Sequence, residues 1–170
     1  MFKTGISCFI ICLLLSLGTA SAATIHVPDD HATIQAAINA STGGDTIVVG
    51  PGTYHENIYF LGKAVTLMSE QGPELTVIDG GRLGSVVSFN SGEGADSVLQ
   101  GFTITNGYAV DGGGIHCNAA SPTVNANIVY RNEAVLDGGG IHCNDSGALI
   151  TANTFTRDTA GQAGGGAAVV

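Results

Sequence analysis

Two aspartates and two histidines recur at one fixed spacing, and both residue types can bind metals or transfer protons. Asp111 is followed by His116, and the same eight-residue sequence begins again at Asp137, so that His142 repeats His116. The step is 137 − 111 = 26 residues. Two histidines are fewer than the three or four protein ligands of a normal zinc site. A metal or acid–base site and a stack of structural residues both fit this pattern, and the sequence favours the stack.

Cys117 and Cys143 belong to the same two repeats and are also 26 residues apart. In an exported protein such a pair can form a disulfide. Side chains at equivalent positions of neighbouring parallel strands point in the same direction, however, so a bridge between them would be strained. A disulfide and two buried thiols are both compatible with the sequence, which favours the thiols.

The 26-residue step extends beyond these segments and is the main signal for the fold. It relates residues 138–140 to 164–166, Val98 to Val124 and Ile150, and Asn106 to Asn132 and Asp158. A period in the twenties with short β-branched runs predicts a solenoid in which each repeat makes one turn. Equivalent residues then stack on parallel strands about 4.8 Å apart. Leucine-rich repeats of similar length need several leucines at fixed spacing, which this sequence does not supply.

Strand alternation predicts which side chains of a repeat face the core. Ile115 and Cys117 fall on one face of the segment 114–118 and should point inward, whereas His116 falls on the other face. Further strands are predicted near residues 46–49, 58–60, 65–69, 76–78, 86–89 and 98–105.

One amphipathic helix is predicted over residues 32–40, just before the first coil. Its apolar stripe consists of Ile34, Ala37 and Ile38. Asp29, Asp30 or Thr33 can cap its start, and the glycine pair at 43–44 is expected to end it. Such a helix is well placed to cover the open apolar end of the first coil.

The first 22 residues are typical of a secretory signal peptide. Lys3 supplies a positive charge, an apolar run covers residues 6–17, and small residues lead to a cleavage site after Ala22. The remaining 170 − 22 = 148 residues form one expected domain, with a cap over about 23–45 and coils over about 46–170. We therefore expect a secreted, periplasmic or cell-surface protein without a membrane span once the signal is removed.

Charge limits the partners of this domain. The whole chain has a net charge of −9, with five Lys and Arg against 14 Asp and Glu. No basic cluster is present, which excludes nucleic acids and anionic membranes and disfavours polyanions.

The N-terminal sequence resembles the opening segment of pectin-lyase-like β-helix proteins, and also the start of pectin methylesterases. The resemblance rests on Ile25-His26-Val27-Pro28, on the segments 33–38, 44–49, 51–54 and 56–58, and on 76–80. The repeats that begin at Gly112 and Gly138 are similar to the parallel β-helix repeats of secreted bacterial and archaeal proteins. The resemblance implies an all-β, right-handed parallel β-helix with 26-residue coils and a short N-terminal capping helix.

The catalytic motifs of those families are not found in this sequence. Pectin methylesterases carry motifs of the type Gln-Asp-Thr-Leu, Asp-Phe-Ile-Phe-Gly and Leu-Gly-Arg-Pro-Trp, and polygalacturonases carry Asn-Thr-Asp and Arg-His-Gly clusters; neither set occurs here. Pectate lyases bind calcium, but no acidic calcium motif indicates it in this chain. The sequence therefore predicts no catalytic residue, no bound metal and no cofactor, since a fold does not fix a function.

Two arginines and two tyrosines lie close to the repeated glycines. Arg131 and Arg157 are 26 residues apart and fit either a lyase base or, as we favour, a ladder of solvated side chains. Tyr108 and Tyr130 stand near the glycine runs at 112–114 and 138–140, where a sugar ring has room to lie. Such glycines more often serve corners with positive φ.

Two functions follow from these observations. The first is a secreted or surface scaffold with an extracellular or cell-wall polysaccharide as its expected partner. The alternative is the N-terminal part of a carbohydrate-active enzyme, of the pectate lyase, polygalacturonase or pectin esterase type, whose catalytic coils lie beyond residue 170. The third repeat ends within an apolar run at 164–170, which predicts either a missing C-terminal portion or end-to-end self-association.

Overall fold

Residues 21–169, which the computed structural model describes, form a parallel β-solenoid of about six coils with one short helix near the N-terminal end. The predicted signal peptide lies outside the described residues, apart from its last two positions. The predictions of an all-β solenoid and of coils of about 26 residues are confirmed. Within the described part of the chain, no helix has the length and apolar character that crossing a membrane requires.

The described strands form four parallel sheets and are numbered here in chain order. The first sheet contains β1 (Thr24–Val27), β2 (Thr46–Val49), β5 (Thr66–Ser69), β8 (Val98–Gln100), β12 (Thr123–Asn125) and β16 (Leu149–Thr151). The second contains β3 (Gly52–Tyr54), β6 (Thr76–Asp79), β9 (Thr103–Thr105), β13 (Ile128–Tyr130) and β17 (Thr154–Thr156). The third contains β4 (Ile58–Tyr59), β7 (Val87–Phe89), β11 (Ile115–Asn118), β15 (Ile141–Asn144) and β19 (Ala167–Val169). The fourth contains β10 (Tyr108–Ala109), β14 (Glu133–Ala134) and β18 (Thr159–Ala160).

The two identical repeats stack in the register that the sequence predicts. Ile115 pairs with Ile141 and His116 pairs with His142, residue for residue. The side chains of Ile115 and Ile141 are fully buried, as their inward position requires. Identical residues of the two repeats therefore stack on each other in neighbouring coils.

One coil earlier the step is 25 residues rather than 26. Val98 pairs with Thr123 (123 − 98 = 25), and not with the valine that follows it. The predicted link from Asn106 to Asn132 is displaced in the same way, because the Oδ1 atom of Asn132 accepts the N–H of Gly107 at 2.9 Å. Both predicted alignments are therefore wrong by one residue at this coil.

The single strand predicted over residues 98–105 is in fact two strands, β8 and β9. Gly101 lies between them with a φ of 78°, and a Cβ at this position would be 2.7 Å from the Oγ atom of Ser69. The positive φ favours glycine at this position. The chain turns here from the first sheet to the second.

The helix α1 (Ile34–Ala40) covers the N-terminal end of the core. Its predicted apolar stripe, consisting of Ile34, Ala37 and Ile38, is fully buried. The helix contacts β1, β2 and β4. The observed helix starts two residues later than predicted.

Side chains cap both ends of the helix. Thr33 is the N-cap, and its Oγ1 atom accepts the backbone N–H of Ala36 at 3.2 Å. The C-cap is Ser41, whose N–H donates to the carbonyl oxygen of Ala37, so the predicted termination at glycines 43–44 is wrong. Ser41 ends the helix because its extended backbone (φ −69°, ψ 160°) directs the chain away from the helix axis.

Charged side chains of the first coil hold the same helix ends. The two carboxylate oxygens of Glu56 accept the N–H groups of Ile34 and Gln35, each at 2.9 Å. At the other end, the Nζ atom of Lys63 donates to the carbonyl oxygens of Ile38, Asn39 and Ser41 at 2.6, 2.9 and 2.8 Å. An anion at the N-terminus and a cation at the C-terminus complement the helix dipole and satisfy free backbone groups.

Asparagine side chains connect successive coils at the corners. The Oδ1 atom of Asn127 accepts the N–H of Phe102 at 3.0 Å, and its Nδ2 atom donates to the carbonyl oxygen of Leu99 at 3.1 Å. In the next coil, the Oδ1 atom of Asn153 accepts the N–H of Asn127 at 2.9 Å. These bonds satisfy backbone groups that leave the sheets at each turn.

Candidate functional site

A tight glycine loop brings the repeated aspartate and histidine together. Gly138 follows Asp137 with a φ of 65°, and a Cβ on it would lie 2.4 Å from the carbonyl oxygen of Ile141 and 2.8 Å from the Cβ atom of His142. Only glycine fits such a close approach. The loop from residue 137 to 142 therefore folds back on itself, and its two functional side chains meet at its base.

Three of the four predicted metal-ligating residues lie in one cluster. Asp111, Asp137 and His142 each offer a ligand atom, and these atoms lie within 4.8 Å of one another. We call this group the Asp–Asp–His cluster. The Oδ1 atom of Asp111 accepts the N–H of Asp137 at 3.1 Å, and the Oδ1 atom of Asp137 accepts the N–H of Ala163 at 2.9 Å. One oxygen of each carboxylate thus fixes the orientation of the side chain.

His142 is buried, although alternation places it on the outer face of its strand. Only 7% of its surface is exposed, and its Nδ1 atom has no hydrogen-bond partner among the described residues. Its ring is stacked on that of His116, with centroids 5.7 Å apart and planes at 12°. His116 is half-buried, as its outward position predicts.

The electrostatics of His116 follow from this stack. Burial, together with the neighbouring His142, lowers the pKa of His116, and the nearby Asp111 carboxylate opposes the shift. Burial dominates, so the neutral imidazole is favoured.

The Asp–Asp–His cluster is confined to two coils. In β7, Ser88 occupies the position of His116, and in β19, Ala168 occupies the position of His142. Ala163 stands opposite Asp137 in the following coil. The adjoining coils therefore lack the ligating side chains.

Cys117 and Cys143 are paired in register, and both are buried free thiols. Contact with Cys143, and then burial, raise the pKa of the Cys117 thiol far above its ordinary range. A thiol that stays protonated is a poor nucleophile, so Cys117 acts as an apolar core residue here.

The two arginines predicted from the repeat belong to a larger group at the corner between the second and fourth sheets. Arg82, Arg131 and Arg157 are the only arginines of the chain, and each lies against a tyrosine. All three have left-handed backbones, with φ values of 62°, 57° and 58°. We call these arginines, with Tyr108 and Tyr130, the arginine–tyrosine corner.

Each guanidinium group lies against a tyrosine ring of this corner, and that of Arg82 also forms an ion pair. The Cζ atom of Arg82 lies 4.6 Å from the ring centre of Tyr108, and its Nη2 atom is 2.7 Å from an oxygen of Glu133. The Cζ atoms of Arg131 and Arg157 lie 4.9 and 5.8 Å from the ring centre of Tyr130. Cation–π attraction orders the long arginine side chains at the surface.

The repeat and the glycine runs indicate Arg131, Arg157 and both tyrosines of this corner, but not Arg82. Arg82 precedes the regular repeats, so no 26-residue step points to it. Its N–H donates to the carbonyl oxygen of Asn106 at 2.7 Å, which fixes it beside the next coil. A positive charge three residues after Asp79, in a glycine-rich corner, was the available signal.

A shallow groove of about 330 Å³ lies away from both groups, along the first sheet. Asp45, Asp96 and Thr66 contribute to its walls. The N–H groups of Thr42 and Ala23 donate to Asp45 and hold its pKa below the ordinary range. This carboxylate is therefore already used in the structure of the corner.

No family model, curated protein or solved structure matches this chain. Its function must therefore be argued from its own residues.

Proposed function

We propose that this chain is a secreted or cell-surface scaffold of the pectin-lyase-like, right-handed β-helix type, which binds a neutral polysaccharide along the arginine–tyrosine corner. The observation that carries the proposal is the gathering of every arginine of the chain, with two tyrosines, on one edge of successive coils. An otherwise acidic protein has concentrated its planar cationic side chains at one place. The corner is the part of the surface best equipped to recognise a polymer.

The side-chain types of this corner suit sugars. Tyr108 is 39% exposed, and an aromatic ring offers an apolar face for the C–H face of a pyranose and a hydroxyl for its polar edge. Guanidinium groups present several donors in a fixed plane, and Glu133 adds an acceptor. Sugar hydroxyls need both donors and acceptors, and both are present here.

The solenoid gives these groups a repeat. Arg131 and Arg157 are one coil apart, and neighbouring strands are separated by about 4.8 Å. That spacing is comparable with the length of one pyranose unit, so an extended chain running along the coil axis meets like side chains in succession. This favours a linear polymer over a single sugar.

The local charge favours a neutral polymer. Arg82 is paired with Glu133 at 2.7 Å, and the chain as a whole carries a charge of −9. One of the three guanidinium groups of the corner is therefore neutralised, while the acidic remainder of the protein repels polyanions.

Affinity electrophoresis and calorimetry with xylan, glucomannan, mixed-linkage glucan and polygalacturonate test the proposal. Tyr108→Ala and Tyr130→Ala should each weaken binding of the preferred neutral polymer by about tenfold, as loss of a stacking side chain does. Tyr59→Ala is the matched control, since Tyr59 is 44% exposed but lies in the third sheet. Binding that is equal in all variants contradicts the proposed surface, and release of reducing or unsaturated ends contradicts the scaffold function.

A further inference from the structure

We propose that Asp111, Asp137 and His142 form a binding site for one divalent transition-metal ion of the zinc type. The site is independent of the proposed polysaccharide surface, because it involves different residues and a different loop. Its basis is the meeting of three ligating atoms within 4.8 Å together with a buried nitrogen that has no partner.

The unpartnered nitrogen is the decisive observation. His142 is 93% buried (100 − 7), and its Nδ1 atom makes no hydrogen bond to any described residue. A buried polar atom without a partner destabilises the folded state, and such atoms are rare in folded proteins. A metal ion bound at this Nδ1 atom would supply the interaction that the described residues do not provide.

The surroundings are arranged to keep the ligands in place. Asp111 and Asp137 each use one oxygen to accept a backbone N–H, which orients the carboxylate. Such supporting hydrogen bonds are characteristic of the groups around metal ligands. Gly138 leaves the space that lets Asp137 approach His142 within one loop. Asp111 of one coil and Asp137 and His142 of the next coil therefore lie close together.

The donor set selects the metal. One imidazole and two carboxylates form a mixed nitrogen and oxygen set, which suits zinc and the neighbouring transition metals. Calcium requires six to eight oxygen ligands, and magnesium binds poorly to imidazole. Three protein ligands leave a fourth position open in a tetrahedral site.

The distances require only a small closure. Ligand atoms of a tetrahedral zinc site lie about 3.3 Å apart when each bond is about 2.0–2.1 Å long. The atoms of the cluster are within 4.8 Å of one another, so the longest separation must shorten by about 1.5 Å to reach that geometry. A bound ion would cross-link two coils. In the adjoining coils Ser88 and Ala168 replace the histidines, which restricts the site to these two coils.

Zinc binding to the full chain, first freed of metal by dialysis against EDTA, is the test. Titration with ZnCl₂ should show one ion per chain and a melting temperature that rises with zinc concentration. CaCl₂ at the same concentrations should produce neither effect. Asp137→Asn and Asp111→Asn keep the Oδ1 acceptor of each backbone bond but lose the charge. Each should weaken zinc binding by about 100-fold or more, because loss of an outer-shell partner alone costs about 10–100-fold.

A matched control comes from a second histidine–carboxylate pair. His55 Nδ1 lies 3.7 Å from an oxygen of Asp79, but His55 is 75% exposed. His55→Ala should leave zinc binding unchanged, whereas His142→Ala should abolish it, and alanine already occupies the equivalent position 168. Zinc binding that survives both aspartate variants, or no binding by the parent chain, overturns the proposal. So does a cobalt–thiolate charge-transfer band after CoCl₂ addition, which would place the ion on cysteine sulfur.

Discussion

Asp158 accepts two hydrogen bonds from Asn132 through a single carboxylate oxygen. The backbone N–H of Asn132 donates at 2.8 Å and its Nδ2 atom at 2.9 Å. The other oxygen of Asp158 is buried and has no partner among the described residues. In Asn132 the corresponding atom is the amide Nδ2, which also donates to the carbonyl oxygen of Ile104 at 3.0 Å. Asp158 therefore occupies a position that suits an asparagine.

Asp158→Asn should stabilise the protein near neutral pH. Burial raises the pKa of Asp158 from 3.8 to about 6, so the protonated form is favoured in the folded state. Its stability contribution is present below pH 4 and is lost as the pH rises through 6. We expect a gain of about 1 kcal/mol at pH 7.5, reduced from the full linkage value because the group is partly exposed.

Urea unfolding at pH 4 and pH 7.5 measures this effect. The free energy of unfolding of the variant should exceed that of the parent chain at pH 7.5 and equal it at pH 4. Asp96→Asn, at an exposed aspartate, should leave stability unchanged at both values. An equal gain at both pH values would mean that the charge of Asp158 is not the cause.

Ile38→Asp should destabilise the fold by about 2–4 kcal/mol, since it places an unpaired charge in the core. Ile38 lies on the buried face of α1 and is fully buried. Asn39→Asp introduces the same charge at the next position, which is exposed, and should have little effect. Equal urea midpoints for the two variants would show that α1 does not cap the core.

Lys63→Met should lower the free energy of unfolding by about 1–3 kcal/mol. Methionine keeps the apolar stem of Lys63 but loses the ammonium group that donates to three carbonyl oxygens at the helix end. Hydrogen bonds to charged groups and the helix dipole both contribute to the expected loss. Amide exchange should speed up in α1 first, and unchanged exchange there would be inconsistent with this role.

Gly138→Ala should lower the stability of the folded protein more than Gly92→Ala does. Both glycines have positive φ values, of 65° and 76°, so both variants carry the backbone cost of about 1–2 kcal/mol. Only at Gly138 would the new Cβ also meet backbone, 2.4 Å from the carbonyl oxygen of Ile141, whereas Gly92 has open space. Thermal melts that rank the two variants equally would show that the loop at 138 can relax.

The sequence predicts the repeated part of this molecule well. Identical segments give the in-register pairs Ile115–Ile141 and His116–His142, because a one-coil repeat leaves little freedom of alignment. The sequence does not predict the 25-residue coil that places Val98 opposite Thr123. A corner that is one residue shorter leaves the alternating pattern within each strand unchanged.

The sites are less predictable than the fold. His116 and His142 have identical local sequences, yet one is half-buried and the other buried, because burial depends on the neighbouring coils. The unpartnered Nδ1 atom of His142 is visible only in three dimensions. Arg82 shares a corner with Arg131 and Arg157 through folding alone.

Tyrosine fluorescence offers the most direct test of the polysaccharide-binding surface. The chain has four tyrosines and no tryptophan, so tyrosine emission reports on few positions. Titration with the preferred neutral polysaccharide should produce a saturable change in emission in the parent chain and in Tyr59→Leu. The double variant Tyr108→Leu, Tyr130→Leu should bind weakly and show no such change. A change that persists in the double variant with unaltered affinity would contradict binding at the arginine–tyrosine corner.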